Sequence, residues 1–134
     1  IFKCKCRRIS TQKLLQRQFA NRHLRHRCSE LVNWVAEQCG YIDAGIIPSF
    51  AWCPSGVLWF KDMDGWQDSG YTPRPGDIIF LDWEQDGECD HVGIVENVAD
   101  GKVNTIEGNS GDSCRRRSYS LGSVKIYGYG VPSY

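Results

Sequence analysis

The sequence predicts an α+β fold in which one amphipathic helix near the N-terminal third packs on an antiparallel β-sheet. Three observations predict it. Cys28, Leu31, Val32, Val35 and Cys39 recur at helical spacing and stop at Gly40. Strand-like runs then follow one another at 77–83, 91–98, 102–107 and 124–129, with turn residues between them. All fourteen glycines fall from Gly40 onward, which is what many tight turns require.

Each element has a local reason. Residues 1–27 carry only a weak helical stripe of Leu14, Leu15 and Phe19. The segment 28–39 reads as a helix closed by Gly40 in the left-handed conformation. Residues 41–51 read as a loop. Pro54 then starts a short helix, with Val57, Leu58 and Phe60 inward and Trp59 near the surface. Turn pairs crowd 61–76 (Asp64-Gly65, Ser69-Gly70, Pro75-Gly76), so that stretch is expected to be irregular. The last strand, 124–129, follows a loop containing Arg115, Arg116 and Arg117.

The chain has 134 residues, enough for one domain with a real core. A hydrophobic content of 41%, with five Trp and six Tyr, excludes a wholly disordered chain. No apolar run is long enough for a membrane span. Because the chain begins at Ile1, it is expected to be part of a longer one. The formal net charge is zero, yet residues 1–27 hold nine Lys or Arg and no acid, while the remainder holds seven bases and all sixteen acids. A basic arm of this kind suits polyanions. It lacks the interleaved aromatics and module motifs of a nucleic-acid binder, so no nucleic acid is expected as a partner.

The chemistry gathers at a hairpin. The runs 91–98 and 102–107 are joined by Ala99-Asp100-Gly101, read as a three-residue loop, which pairs residues whose numbers sum to 200. His91 then lies opposite Asn109 and Gly93 opposite Glu107, so His91, Glu107 and Asn109 leave one face of the ribbon. This arrangement is a base with two possible orienting partners. Cys28 sits at the first turn of the best helix, where the helix dipole and unpaired N–H groups favour a thiolate. An adjacent imidazole should lower its pKa further and give the thiolate–imidazolium pair of acyl-transfer cysteine enzymes. The same N–H groups suit an oxyanion. Taken alone, a Cys at a helix start is more often a small buried hydrophobe, and a strand His more often structural. Their convergence with Glu107 and Asn109 favours function.

The runs CSELVNWVAEQCGY, PGDIIFLDW, DHVGIVENV and TIEGNSGDS resemble, in order and spacing, the CHAP family of cysteine, histidine-dependent amidohydrolases/peptidases. The resemblance extends from about Arg25 to Tyr134. It divides the chain into a basic segment, 1–24, unlike the family, and a CHAP-like catalytic domain, 25–134. It implies a papain-like fold and action on peptidoglycan, as an N-acetylmuramoyl-L-alanine amidase or an endopeptidase of the stem peptide or cross-bridge. The family's nucleophile falls on Cys28, its base on His91, its acidic member on Glu107 and the following polar residue on Asn109. No cofactor is implied. A monomer is expected, secreted or wall-associated in a bacterium or encoded by a phage as a lysin.

Two readings compete. A cell-wall-binding domain that has lost activity would use the cleft for recognition alone, but it has no need of a thiol beside an imidazole. A zinc-stapled interaction module would use Cys4, Cys6, His23 and His26 with Cys28, although Cys-x-Cys is not the common finger spacing. The run Asp82–Gly87 has oxygen ligands at alternating positions, as in a calcium loop. Gly93 stands where an EF-hand needs its bidentate Glu, so an acidic hairpin tip is the better reading. Cys39, Cys53, Cys89 and Cys114 are assigned to structure, with Cys89 the weaker nucleophile candidate. Trp52, Trp59, Trp66 and Trp83 are assigned chiefly to packing, with a groove for a sugar–peptide polymer as their alternative role.

Overall fold

The computed structural model describes residues 28–108 and 114–134. Two helices, α1 (Ser29–Gln38) and α2 (Cys53–Asp62), precede six strands: β1 (Trp66–Asp68), β2 (Ile78–Leu81), β3 (His91–Ala99), β4 (Lys102–Glu107), β5 (Arg115–Ser120) and β6 (Ile126–Gly130). The strands form one antiparallel sheet in the order β1-β6-β2-β3-β4-β5. This is the α+β architecture expected.

Helix α1 forms where the stripe predicts it, burying Leu31, Val32, Val35 and Ala36. Gly40, at φ +71°, ends it: its N–H donates to the Glu37 carbonyl, and the Tyr41 N–H reaches back to Ala36. Helix α2 starts one residue before Pro54 and buries Val57 and Phe60. Leu58, expected inward, is exposed, while Trp59 is half-buried and meets Phe60 edge-on at 5.1 Å. The difference is one helical position: Cys53, Val57 and Phe60 complete the inward stripe and rotate Leu58 outward.

Both sheet faces are covered, which is why all four residues of β2 are apolar and buried. One face carries Ile78, Phe80, Val92, Ile94 and Ile106 beneath the two helices. The other carries Ile79, Leu81, Val95, Val103, Ile126 and Tyr129. Phe80 lies among the rings of Phe50, Phe60 and Trp66, with centroids 5.5–6.1 Å away. Truncating such a ring to Ala typically costs about 3–5 kcal/mol.

Two strands escaped the sequence. Residues 66–68, within the stretch expected to be irregular, pair with β6, and the Arg115–Arg117 segment is not a loop but the start of edge strand β5. Its residues RRRSYS are mostly exposed, so no apolar alternation marks it. The run expected at 124–129 begins only at Ile126, and Val124 is exposed.

The hairpin holds a pair of compensating errors. Its loop is two residues, Asp100-Gly101, both at positive φ, so Ala99 pairs with Lys102 and the numbers sum to 201. A bulge between Val95 and Asn97 then absorbs one residue. Beyond it Val95 pairs with Thr105 and Ile94 with Ile106, restoring the sum of 200 before the strands reach His91 and Glu107.

Candidate active site

The site forms where α1 begins, β3 begins and β4 ends. Cys28 is the N-cap residue of α1, and no side chain caps that first turn. The N–H groups of that turn have no intrahelical acceptor. Gly108 makes the approach possible, because a Cβ there would lie 2.9 Å from the Leu31 Cβ. His91, the first residue of β3, is buried; the Cys28 Sγ lies 3.9 Å from the carbonyl oxygen of the preceding residue, Asp90, near enough for thiol and imidazole to influence one another's proton affinity. The imidazole Nε2 lies 2.7 Å from Glu107 Oε1, which leaves Nδ1 as the ring nitrogen available to the thiol.

Glu107 is completely buried and heavily partnered. Besides His91 it accepts hydrogen bonds from Thr105 Oγ1 and from the Tyr119 hydroxyl, at 3.1 Å to Oε1 and 2.9 Å to Oε2. Arg117 Nε stands 3.8 Å from Oε1. A buried carboxylate needs such donors to hold its charge. Burial, then the neighbouring carboxylate, push the Tyr119 phenol up, so it remains a donor. Tyr119 in turn accepts from Trp83 Nε1 at 3.3 Å, and the Trp83 ring stacks on His91 with centroids 4.0 Å apart. The imidazole is therefore fixed by an ion-pair partner at Nε2 and an aromatic plane on one face.

Thr105, Tyr119 and Arg117 were given no site role by the sequence, and Trp83 was assigned chiefly to packing. Thr105 was within reach of it, since it lies two residues from Glu107 on the same face of β4. Tyr119 and Arg117 were not, because they belong to the strand that has no apolar pattern. Trp83 is a site residue, whereas Trp59 and Trp66 pack against the core. Cys28, His91 and Glu107 come together as expected; Asn109 lies outside the described residues, as do Cys4, Cys6, His23 and His26.

The thiol itself differs from expectation. Cys53, assigned to structure, places its Sγ 3.5 Å from Cys28 Sγ. Contact with Cys53 and then burial push the Cys28 thiol up, against a smaller lowering by His91. The expected depression is thus reversed, because a neutral thiol partner and desolvation outweigh the imidazole. Burial pulls the His91 imidazole down, but contacts with Cys28 and Glu107 overcome this and push it up to about 9. At neutral pH the pair therefore carries one proton more than the reactive thiolate–imidazolium state.

Cys28 opens onto a groove of about 320 Å³, lined also by Trp52, Cys53, Cys89 and the acidic lip Asp86, Glu88 and Asp90. Of the tryptophans, Trp52 is the one exposed on this groove. The 82–87 loop is a hairpin tip held by its own carboxylates. Asp82 accepts from the N–H groups of Asp86 and Gly87, and Asp90 from those of Trp83 and Glu84.

A family model described as "CHAP domain" matches residues 18–109, ending on Asn109. The crystal structure of Ly7917 is similar, at 21% identity and a TM-score of 0.56, covering 80% of this chain and 53% of that one. The crystal structure of Ly7917 with the hydrolyzing product of MDP aligns at 22% identity and a TM-score of 0.53, over 80% and 54%. The chain thus spans about half the length of these solved structures, and the likeness is one of fold. No curated protein matches the sequence.

Proposed function

This chain belongs to the CHAP family, and we propose that it hydrolyses amide bonds of peptidoglycan by a Cys–His thiol mechanism. The observation that carries the reading is the Cys28 thiol at the start of β3, 3.9 Å from the Asp90 carbonyl, beside a His91 imidazole held 2.7 Å from a buried carboxylate. Loss of one proton frees the imidazole, which takes the Cys28 proton as the thiolate attacks. Cys28 Sγ bonds to the amide carbonyl carbon, and the first-turn N–H groups of α1 receive the oxyanion. The imidazolium gives its proton to the leaving amine as the C–N bond breaks. Water, deprotonated by His91, then hydrolyses the thioester and frees Cys28.

Glu107 holds the imidazole in the productive orientation, and Asn109 is assigned the same role from the family motif. The substrate bond is the muramoyl–L-alanine amide or one in the stem peptide or cross-bridge. The acidic groove suits amine-bearing peptide more than the polyanions of the wall, and the tryptophan at its rim suits a sugar face. A monomer acting at the wall, secreted by a bacterium or delivered as a phage lysin, fits this substrate.

The test is digestion of purified peptidoglycan with the full chain, with mass spectrometry of the new amino termini. A free L-alanine terminus identifies an amidase, any other an endopeptidase. Cys28→Ala and His91→Ala should each abolish release while retaining the wild-type circular dichroism spectrum. Clearance by a folded Cys28→Ala protein would overturn the mechanism.

A further inference from the structure

Amide hydrolysis uses one thiol, yet this site holds two in contact and a third beside them. Cys28 and Cys53 begin different helices, 25 positions apart, and their sulfurs stand 3.5 Å from one another. Cys89 stands near Cys53, and all three line the groove. Nothing in the hydrolytic cycle needs Cys53, and its contact works against catalysis by strengthening the nucleophile's hold on its proton.

We propose that Cys28 is also a peroxide-modification site with Cys53 as its resolving thiol, so that oxidation locks the nucleophile in a reversible Cys28–Cys53 disulfide. The inference rests on the reading of Cys28 as the thiol activated by His91. A disulfide needs the sulfurs at about 2.05 Å, so from 3.5 Å they must close by roughly 1.5 Å. The acidic lip of Asp86, Glu88 and Asp90 disfavours anionic oxidants and admits a small neutral hydroperoxide.

The chemistry balances. The Cys28 thiolate attacks the hydroperoxide; an S–O bond forms and the O–O bond breaks, and the leaving oxygen takes the proton held on His91. Sulfur loses two electrons to the peroxide and becomes a sulfenic acid. Cys53 then attacks that sulfur; the S–S bond forms, the S–O bond breaks, and hydroxide leaves as water with the Cys53 proton. A dithiol reductant returns both thiols.

The experiment treats the reduced full chain with one equivalent of hydrogen peroxide, blocks remaining thiols with iodoacetamide and maps peptides without reduction. No Lys or Arg lies between Arg27 and Lys61, so trypsin alone leaves both residues in one peptide; cleavage after Glu and Asp must be added, which also parts Cys39 from Cys53 at Asp43. The expected product is the Cys28–Glu30 peptide linked to the peptide containing Cys53. Peptidoglycan hydrolysis should fall in proportion to the linked fraction and return with dithiothreitol. In Cys53→Ser a second equivalent of peroxide should carry Cys28 past sulfenic to sulfinic acid, so that activity, relative to the untreated variant, does not return. Cys89→Ser should still form and reverse the link.

A Cys53–Cys89 link, a link from Cys28 to any other cysteine, or a Cys28 still open to iodoacetamide would overturn the proposal. Because the link is read by mass, it is separable from the hydrolase reading. A linked peptide from a chain that never cuts peptidoglycan rejects the hydrolase alone, while thiol-dependent cutting without the link rejects the switch alone.

Discussion

The His91–Glu107 pair sets the pH at which this site turns on, and Glu107→Gln is the perturbation that measures it. The amide keeps an oxygen for the imidazole and removes the charge. In the wild-type protein the imidazole is held up to about 9 and the thiol is pushed up as well, so the first proton leaves the pair near pH 9. Below that value kcat/KM should fall tenfold per pH unit, so that activity at pH 7 is roughly one hundredth of the alkaline plateau. Without the carboxylate, burial, which lowers the imidazole, has less opposing it. The rising limb of Glu107→Gln should move down by about one unit or more, toward the ordinary imidazole value. The variant should be slower than wild type at pH 9, where orientation limits it, and its deficit should narrow at pH 6. The assay is kcat/KM from pH 5 to 10 on a soluble muropeptide. Coincident rising limbs would refute the assignment of the shift to Glu107. A wild-type profile flat from pH 6 to 9 would show that the thiolate–imidazolium pair already exists in acid, and that contact with Cys53 does not hold the thiol up.

Three further outcomes follow from the same geometry. Cys53→Ala removes the largest influence holding the Cys28 thiol up, so iodoacetamide at pH 7 should label Cys28 about tenfold faster or more, read by peptide mapping. Tyr119→Phe removes the hydroxyl that serves both Glu107 oxygens; kcat should drop with KM little changed, and stability should fall by about 1–3 kcal/mol in urea unfolding. Gly93→Ala places a methyl 2.6 Å from the Glu107 Cγ, which must displace the carboxylate from His91; activity should fall steeply, and its pH profile should shift in the same direction as that of Glu107→Gln.

Much of the fold was legible because its elements advertise themselves locally. The α1 stripe and Gly40 are a complete helix signal, and the continuous apolar run of β2 marks a strand covered on both faces. What could not be read lies where burial is absent. Strand β5 is an edge of exposed arginines and serines, held by pairing with β4 and not by an apolar face. Strand β1 is three residues long, too short for any period to show. Leu58 shows the limit within a helix, where one residue of phase decides which side chain meets the core.

The site divides in the same way, by the range of the interactions that build it. Turn chemistry reached the His91–Glu107 pair because a hairpin carries its register with it, and the bulge at Glu96 compensated the misread loop. The thiol's environment is different in kind. Cys28 and Cys53 meet because two helices, each amphipathic in its own right, deliver their first residues to the same sheet end. No local period encodes that meeting, and a helix start read in isolation predicts a depressed thiol pKa, as its dipole dictates. The neighbour that reverses the sign comes from 25 residues away. The orientation of the base in this protein is thus a property of one hairpin, with Tyr119 added by the next strand, while the reactivity of the nucleophile belongs to the packing of two helices. Substitutions in α2 that leave His91 and Glu107 untouched should therefore retune the thiol alone.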